Sequence, residues 1–435
     1  MLKRKINTQL EIWKEQDHKS LLLIGPRQCG KTFSVREFAR ENYESANFIE
    51  LNFIENLNHK EVFLNSLKVD DIIFNLSLMF PEKKFIPHET LLFFDEIQDC
   101  PQAITALKFF TEDKKYDVIA SGSMLGLNDI RKSSFPVGYV DHMEMYPLDF
   151  EEFLWALNYS DEQLSKIREY FDSTTTVPQS AHNTMMSNFR LYMTLGGMPE
   201  VLVDYLDGRD IVKADKRQRI ILKDYLYDIA HLAQTREIKI QAERCYMSLP
   251  AQLSKNNPKF QYSVVDKDGS ARKFGNSITW LENAFLVKPV YSVSKVEESL
   301  ETYKDTNNFR LYPTDIGMLM AMFKFNIKEK IINDTLTGNT RGAIYEAAMA
   351  DVLIKNGYDN LYFYKNDNQK AELEFIINNN DGIIPIEVKA GRNCSESLNR
   401  FLKKDNISYG YKVINGNCGS VDKKITIPWY MTMFL

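Results

Sequence analysis

Four residues near the N-terminus have the types and the spacing that bind phosphate. Gly25, Gly30, Lys31 and Thr32 form the pattern G-x-x-x-x-G-K-[ST]. The two glycines let the backbone curl so that consecutive N–H groups point at phosphate oxygens. The lysine ammonium would reach the β- and γ-phosphates, and the threonine hydroxyl would ligate Mg²⁺. This pattern predicts the binding of a nucleoside triphosphate together with a magnesium ion.

A phosphate-binding loop of this kind needs a strand before it and a helix after it, and the sequence supplies both. The apolar run 21–24 predicts a buried strand, and residues 32–40 have the apolar spacing of a helix. The N-terminus of that helix adds the positive end of its dipole. The predicted ATP-binding residues are Gly25, Pro26, Arg27, Gln28, Cys29, Gly30, Lys31, Thr32 and Ser123.

Two adjacent carboxylates, Asp95 and Glu96, follow the apolar run 91–94. A carboxylate at the end of such a strand holds Mg²⁺, and its neighbour orients and deprotonates the attacking water. We therefore predict Thr32 and Asp95 as the metal residues, and Glu96 and Lys31 as the catalytic residues. The sequence contains no N-K-x-D motif for reading guanine, so the expected nucleotide is ATP.

Two further features could complete such a site. Ser121 and Ser123 end another short apolar strand and would be either polar sensors of the γ-phosphate or part of a turn. Their placement fits ATPases with an extra strand between the strands that carry the loop and the acidic pair. Arg131 and Arg190 are candidates, on position alone, for an arginine acting on a neighbouring copy, and each is also explained as a surface residue.

Composition places the chain among ordinary globular proteins of several domains. Of its 435 residues, 44% are hydrophobic and 26% are charged, which supports two to four domains. The formal net charge of −5 gives no global attraction to nucleic acid, so DNA contact would need local basic patches. Five scattered cysteines without a C-x-x-C pair fit a reducing compartment. No apolar run approaches 18 residues, which predicts a cytoplasmic protein without a membrane span.

Five segments along the chain together resemble a known family. They are Gly-Pro-Arg-Gln-Cys-Gly-Lys-Thr (25–32), Leu-Phe-Phe-Asp-Glu-Ile-Gln (92–98), Ala-Ser-Gly-Ser-Met (120–124), Met-Tyr-Pro-Leu-Asp-Phe-Glu-Glu-Phe-Leu (145–154) and Leu-Gly-Gly-Met-Pro-Glu-Val (195–201). Their order is similar to that in the prokaryotic AAA-type ATPases that carry a characteristic C-terminal domain of unknown function. The resemblance implies an α/β fold: a P-loop NTPase core with a parallel sheet and flanking helices, then a helical winged-helix region, then a C-terminal α/β domain like restriction endonucleases.

The middle of the chain is read mainly from its helical patterns. One helix is expected over 58–80, and the polar stretch 155–185 is expected to be an excursion or a mobile linker. A helix over 274–285 followed by a strand over 286–293 fits a winged helix-turn-helix with its wing.

A helix expected over 210–235 carries the basic residues Lys213, Lys216, Arg217 and Arg219. This charge run predicts either contact with DNA phosphates or an ordinary solvated face.

The C-terminal part has the pattern helix, strand, strand, helix. Because side chains alternate along a strand, Glu387 and Lys389 share one face, and a neighbouring strand places Glu374 beside them. Glu346 on the preceding helix can reach the same patch. The set Glu346, Glu374, Glu387 and Lys389 resembles the core of PD-(D/E)XK nucleases, in which carboxylates hold Mg²⁺ and the lysine polarises water. The alternative is an ordinary polar face of a hairpin.

These patterns predict three domains: an ATPase domain over 1–200, a winged-helix-like domain over 201–325 and an endonuclease-like domain over 326–435. The first functional hypothesis is an ATP-binding ATPase that couples hydrolysis to DNA binding or processing. The alternative is a nucleotide-gated regulatory or assembly module whose C-terminal domain binds a partner and has no nuclease activity. Expected partners are ATP with Mg²⁺, DNA, and further copies of this chain in a homo-oligomer.

Overall fold

A computed structural model describes residues 2–122, 136–233, 235–255, 257–366, 371–389 and 396–435. The chain forms two compact units. The first comprises Lys3–Pro147 with Asn283–Phe285, and the second comprises Leu148–Glu282 with Leu286–Leu435 and the N-terminal Leu2. The division into three domains at 200 and 325 stays a prediction.

The first unit is built on a parallel sheet in the order β2-β3-β4-β1-β5. Its strands are β1 Ser20–Ile24, β2 Phe48–Asn52, β3 Leu91–Asp95, β4 Asp117–Gly122 and β5 Val140–Glu144. Its helices are α1 Lys5–Glu15, α2 Lys31–Asn42, α3 Asn58–Glu61, α4 Val69–Met79 and α5 Pro101–Asp113. Strand β4 lies between β1 and β3, which is the extra strand that the sequence predicted.

Both faces of this sheet are covered, because alternate residues of each strand enter different cores. On β3, Leu92 and Phe94 pack with residues of α4 and α5, whereas Leu91 and Phe93 pack with residues of α1 and α2. This double burial explains why the central strands read as continuous apolar runs. The prediction of a single helix over 58–80 is wrong, because residues between Glu61 and Val69 leave the helical path.

The second unit contains a mixed sheet in the order β12-β13-β11-β10-β9-β8-β6-β7. Its strands are β6 Val287–Val293, β7 Lys304–Pro313, β8 Tyr362–Asn366, β9 Ala371–Asn379, β10 Gly382–Val388, β11 Gly410–Ile414, β12 Gly419–Val421 and β13 Lys424–Pro428.

The helices of this unit come mainly before β6 and between β7 and β8. They are α6 Phe150–Ala156, α7 Asp161–Asp172, α8 Gln179–Leu195, α9 Pro199–Leu206, α10 Ile211–Leu232, α11 Arg236–Met247, α12 Leu249–Leu253, α13 Tyr262–Val265, α14 Ala271–Asn283, α15 Ile316–Met322, α16 Phe325–Ile332, α17 Gly338–Lys355 and α18 Glu396–Phe401.

Two expectations for this unit need correction. Residues 155–185 are not a linker but contain α7 and the start of α8, and Ser160 with Gln163 forms a capping box at the start of α7. The hairpin expected as a wing is β6 with β7, and β6 also pairs with β8 at Tyr291–Tyr362. The hairpin therefore extends the C-terminal sheet. The order helix, strand, strand and helix, predicted from residue 340 to the end, holds only in part: α17 is followed by three strands, β8, β9 and β10, and then by α18, and the strands β11, β12 and β13 come after it.

The Leu-Gly-Gly segment at 195–197 is explained by a buried polar cluster. The N–H of Gly197 donates to Asp315 at 2.7 Å, and the N–H of Leu148 donates to the Gly197 carbonyl at 2.7 Å. Lys355 on α17 is fully buried and pairs with Asp315 at 3.1 Å and Asp351 at 2.8 Å. Buried charges need such partners, and the glycines allow the backbone to approach them closely.

Candidate functional site

The phosphate-binding loop connects the end of β1 to the first residue of α2, Lys31. Gln28 and Gly30 both adopt positive φ angles, 62° and 102°, which curl the loop. A Cβ added to Gly25 would lie 2.0 Å from the carbonyl oxygen of Met145, so only glycine fits there. The loop therefore has the local backbone that phosphate binding requires.

The back of the loop is held by a residue that the sequence did not indicate. Arg4 is buried, and its guanidinium donates to the Cys29 carbonyl at 2.9 Å and to the Tyr146 carbonyl at 2.7 Å. The Cys29 thiol is also buried and donates to the Met145 carbonyl at 3.4 Å. A lone arginine before an ordinary helix carries no sequence signal of this role, because its partners are backbone carbonyls distant in the chain.

The predicted metal residues lie together. The Thr32 hydroxyl donates to Asp95, at 3.2 Å from Oδ1 and 3.1 Å from Oδ2. The Lys31 ammonium lies inside the loop, where it donates to the carbonyls of Gly25 at 3.0 Å and Pro26 at 2.8 Å. A hydroxyl and a carboxylate side by side next to a phosphate loop are hard oxygen ligands of the kind that Mg²⁺ takes, so these residues fit the ion.

Asp95 receives two further hydrogen bonds. The Ser121 hydroxyl donates to Oδ1, and the Asn52 amide donates to Oδ2 at 3.1 Å. Burial raises the pKa of the Asp95 carboxyl and the neighbouring Glu96 adds to this, whereas the bonds from Ser121 and Thr32 oppose it. Ser121 was expected near the γ-phosphate, and Asn52 was missed. The signal for Asn52 was its position as the last residue of the strand that pairs with β3.

Glu96, the predicted base, directly follows β3 and has a left-handed backbone with φ of 54°. Its Oε2 accepts a hydrogen bond of 2.5 Å from the Gln98 amide. Gln98 Oε1 is buried beside Gly122 and has no hydrogen-bond partner within the described part of the chain. The other predicted residues of this region, Ser123 and Arg131, lie outside the described residues.

The predicted nuclease-like residues come together on β9, β10 and α17. Lys389 lies 2.7 Å from Glu374 Oε1 and 3.8 Å from Glu387 Oε1. Burial raises the pKa of Glu374 to about 7, against the opposing effect of Lys389. The charge of Glu346 adds to the same rise.

An arginine that the sequence analysis did not consider lies within this carboxylate cluster. Arg310 on β7 donates from Nη1 to Glu346 at 2.7 Å and from Nη2 to Glu372, and its side chain is fully buried. Within the described ranges, no group of three or more His, Cys, Asp or Glu residues could hold a metal ion. The cluster therefore does not fit the divalent metal that the nuclease resemblance implies.

The basic face of α10 is largely neutralised. Lys213 pairs with Asp207 at 2.6 Å, and Arg217 pairs with Asp204 at 2.8 Å. Arg219 pairs with Asp215 at 2.9 Å. This arrangement resembles an ordinary ion-paired helix face.

Arg190, the other candidate for an arginine acting on a neighbouring copy, donates to Ser187 at 3.1 Å and lies 3.9 Å from Asp334.

No helix among the described residues is long and apolar enough to cross a membrane.

Comparison with family models divides the chain into three matched segments. Residues 17–154 match the family described as AAA domain, and residues 186–329 and 341–430 match two domains of unknown function, DUF8612 and DUF4143. The AAA match agrees with the parallel sheet, the loop at Lys31 and the Asp95–Glu96 pair. Residues 17–154 are thus similar to the AAA domains of P-loop ATPases, and the two segments after them match domains of unknown function. ATPases of this class bind a nucleotide, typically with Mg²⁺.

Several solved structures match about three quarters of this chain at low identity and with TM-scores below 0.5. The Walker-type ATPase PABY2304 of Pyrococcus abyssi is 14% identical with a TM-score of 0.44, and the match covers 74% of this chain and 96% of that one. The ORC1 protein of Aeropyrum pernix, in complex with DNA, is 12% identical with a TM-score of 0.29, covering 77% and 93%. Cdc6p from Pyrobaculum aerophilum is 13% identical with a TM-score of 0.28, covering 77% and 94%. A search of curated proteins found no match. The class therefore rests on the AAA match and the geometry of the site.

Proposed function

We propose that this protein hydrolyses Mg²⁺-ATP and uses the nucleotide state to control what its C-terminal region binds. The observation that carries the first half is the contact of Thr32 with Asp95 beside the loop that holds Lys31. Lys31 and Thr32 begin α2 and Asp95 ends β3, and phosphoryl transfer requires an ammonium, a hydroxyl and a carboxylate in such an arrangement.

Each residue of the site has a separate role in binding or hydrolysing ATP. Lys31 exchanges the carbonyls of Gly25 and Pro26 for phosphate oxygens when ATP enters, because an ammonium prefers the anionic acceptor. Thr32 and Asp95 would hold Mg²⁺, and the ion would supply positive charge beside the phosphates. Glu96 orients and deprotonates the attacking water, and Gln98 holds the Glu96 carboxylate.

The second half has two forms. In the first, the C-terminal region processes DNA through Glu374, Glu387 and Lys389. In the second, it binds a partner and cuts nothing. The contact of Arg310 with Glu346 favours the second form, because a guanidinium already neutralises one of the carboxylates that would take a metal.

The test measures ATP hydrolysis, DNA binding and DNA cleavage in parallel for the wild type, Lys31→Ala and Glu387→Ala. We expect ATP hydrolysis in the wild type and in Glu387→Ala, its loss in Lys31→Ala, and no cleavage by any of the three. Arg36→Ala is the matched control for Lys31, since Arg36 lies on the same helix and pairs with Glu50 at the surface.

Two outcomes contradict the proposal separately. Absence of ATP hydrolysis in the wild type with Mg²⁺ overturns the first half. Cleavage of duplex, branched or single-stranded DNA that disappears in Glu387→Ala overturns the partner-binding form of the second half and favours the nuclease form.

A further inference from the structure

Arg310 is the central cation of the carboxylate cluster in the second unit. Its side chain is fully buried, and its guanidinium lies 4.2 Å from the centroid of the Phe363 ring. Its two terminal nitrogens reach carboxylates on different elements, Glu346 on α17 and Glu372 on β9. The Tyr312 hydroxyl donates to the same Glu346 oxygen. Arg310 therefore joins β7 to both α17 and β9.

The charges around Arg310 are close to balanced without any added ion. The carboxylates are Glu346, Glu372, Glu374 and Glu387, and the cations are Arg310, Lys389 and Lys365. An arginine stays protonated at any ordinary pH, so its charge is permanent. Burying several carboxylates without cations would be costly, since each loses its hydration.

One carboxylate oxygen remains open within this cluster. Glu387 is 2% exposed, and its Oε2 has no hydrogen-bond partner among the residues that the structure describes. Buried polar atoms are normally hydrogen-bonded, so this oxygen is available to a further partner.

We propose that Arg310 occupies this cluster as a built-in cation, in place of a divalent metal ion, and that its removal creates a site for a hard divalent cation. The guanidinium gives directional bonds to two carboxylates and cannot dissociate, whereas a metal ion exchanges with solvent. In this chain the cluster is thus a permanent cross-link between β7, α17 and β9. The proposal deepens the second half of the proposed function and is independent of ATP hydrolysis.

The experiment titrates Mn²⁺ into the full chain without nucleotide and counts bound ions by electron paramagnetic resonance. All variants carry Thr32→Ala, which removes a predicted magnesium ligand of the ATP site. In this background we expect no site that depends on Glu346. Adding Arg310→Met should create one site with at least tenfold higher affinity than any remaining, and further adding Glu346→Gln and Glu372→Gln should abolish it. Arg341→Met is the matched control, because Arg341 pairs with Asp334 at 2.8 Å, outside the cluster, and should add no site.

Arg310→Met could also fail to fold, since it leaves buried carboxylates without their cation. The thermal unfolding of this variant is therefore measured with and without Mn²⁺, and a rise in its midpoint that Arg341→Met lacks supports the proposal. If the variant stays unfolded in both conditions, the proposal is tested by Mn²⁺ binding to the chain that keeps Arg310. Tight Mn²⁺ binding there that disappears with Glu346→Gln or Glu387→Gln overturns the proposal, and its absence upholds it. A folded Arg310→Met that gains no site also overturns it.

Discussion

The Asn52 amide lies 3.1 Å from Asp95 Oδ2, on the strand that pairs with β3 in register Asn52–Asp95. Ser121 on β4 donates to the other carboxylate oxygen, from the opposite side of β3. The carboxylate is thus fixed by the two strands that flank it, and Thr32 from α2 completes its partners. Three elements orient the residue that would hold Mg²⁺.

Removing either of the partners that the flanking strands supply should weaken the binding of Mg²⁺ to the ATPase site. Partners of metal ligands typically contribute about 10- to 100-fold in metal affinity. For Asn52→Ala and Ser121→Ala we expect Mg²⁺ activation to shift to about tenfold higher concentration or more, with a smaller change in nucleotide binding. Asn56→Ala is the control, because Asn56 contacts His59 instead. Unchanged Mg²⁺ activation curves in both variants would contradict the assignment.

The pH profile of hydrolysis should respond to the same change. Mg²⁺ binds the ionised carboxylate, so protonation of Asp95 competes with the metal at low pH. The Ser121 hydrogen bond lowers the pKa of Asp95 against the effect of burial. In Ser121→Ala the pKa should therefore rise, and activity measured at limiting Mg²⁺ should be lost at a higher pH than in the wild type. A profile identical to that of the wild type would exclude this contribution.

Gln98 should act as a positioning residue for the base Glu96. Its amide holds the Glu96 carboxylate at 2.5 Å. Glu96→Gln should lower kcat by about 100-fold or more while ATP still binds, as expected on loss of a general base. Gln98→Ala should lower kcat by about tenfold with KM nearly unchanged. Gln102→Ala, at an exposed position on α5, is the control. A rise in KM without a change in kcat would assign Gln98 to binding instead.

Glu374 should make stability depend on pH in a defined window. Its pKa is raised from the ordinary 4.5 to about 7, so the folded state binds the proton more tightly than the unfolded state. The stability that this group contributes is present below about pH 4.5 and is lost as pH rises to about 7, by at most about 3 kcal/mol. The difference in unfolding free energy between wild type and Glu374→Gln, measured by urea denaturation, should therefore fall across this window.

A companion variant tests the cause of that window. Lys389 opposes the rise in the pKa of Glu374, so Lys389→Met should raise this pKa further and extend the loss of stability above pH 7. A difference between wild type and Glu374→Gln that is constant from pH 4.5 to 7 would contradict the raised pKa.

Gly197 should tolerate no side chain. A Cβ at this position would lie 2.0 Å from the carbonyl oxygen of Leu148 and 2.8 Å from its nitrogen. Gly197→Ala should therefore destabilise the protein by about 3 kcal/mol or more, because backbone has to move. Gly275→Ala is the matched control, since nothing lies within 4 Å and helix α14 should gain up to about 1 kcal/mol. Equal denaturation midpoints for the two variants would contradict this account.

The sequence by itself determined the candidate nucleotide site, because the residues that define it are close together in the chain. Gly25, Gly30, Lys31 and Thr32 are close in the chain, and the apolar run before Asp95 fixes that residue at a strand end. The hairpin that carries Glu374 and Glu387 was predictable for the same reason. Side chains alternate between the two faces of a strand, so the spacing along two short strands determines which residues share a face. Local periodicity gave a wrong prediction over 155–185, where polar helices were taken for a linker. The capping pair Ser160 and Gln163 was a sequence signal for the start of a helix there.

The tertiary structure alone decided what surrounds these residues. Asn52 and Arg4 act on residues 43 and 25 positions away, and Arg310 reaches Glu346 and Glu372 at separations of 36 and 62. No spacing rule connects such positions, because their contact depends on which strands become neighbours in a sheet. The pairing of β6 with β8 is the clearest example, because it places β7 and Arg310 in the C-terminal sheet. Arg310 then contributes its positive charge to the carboxylate cluster.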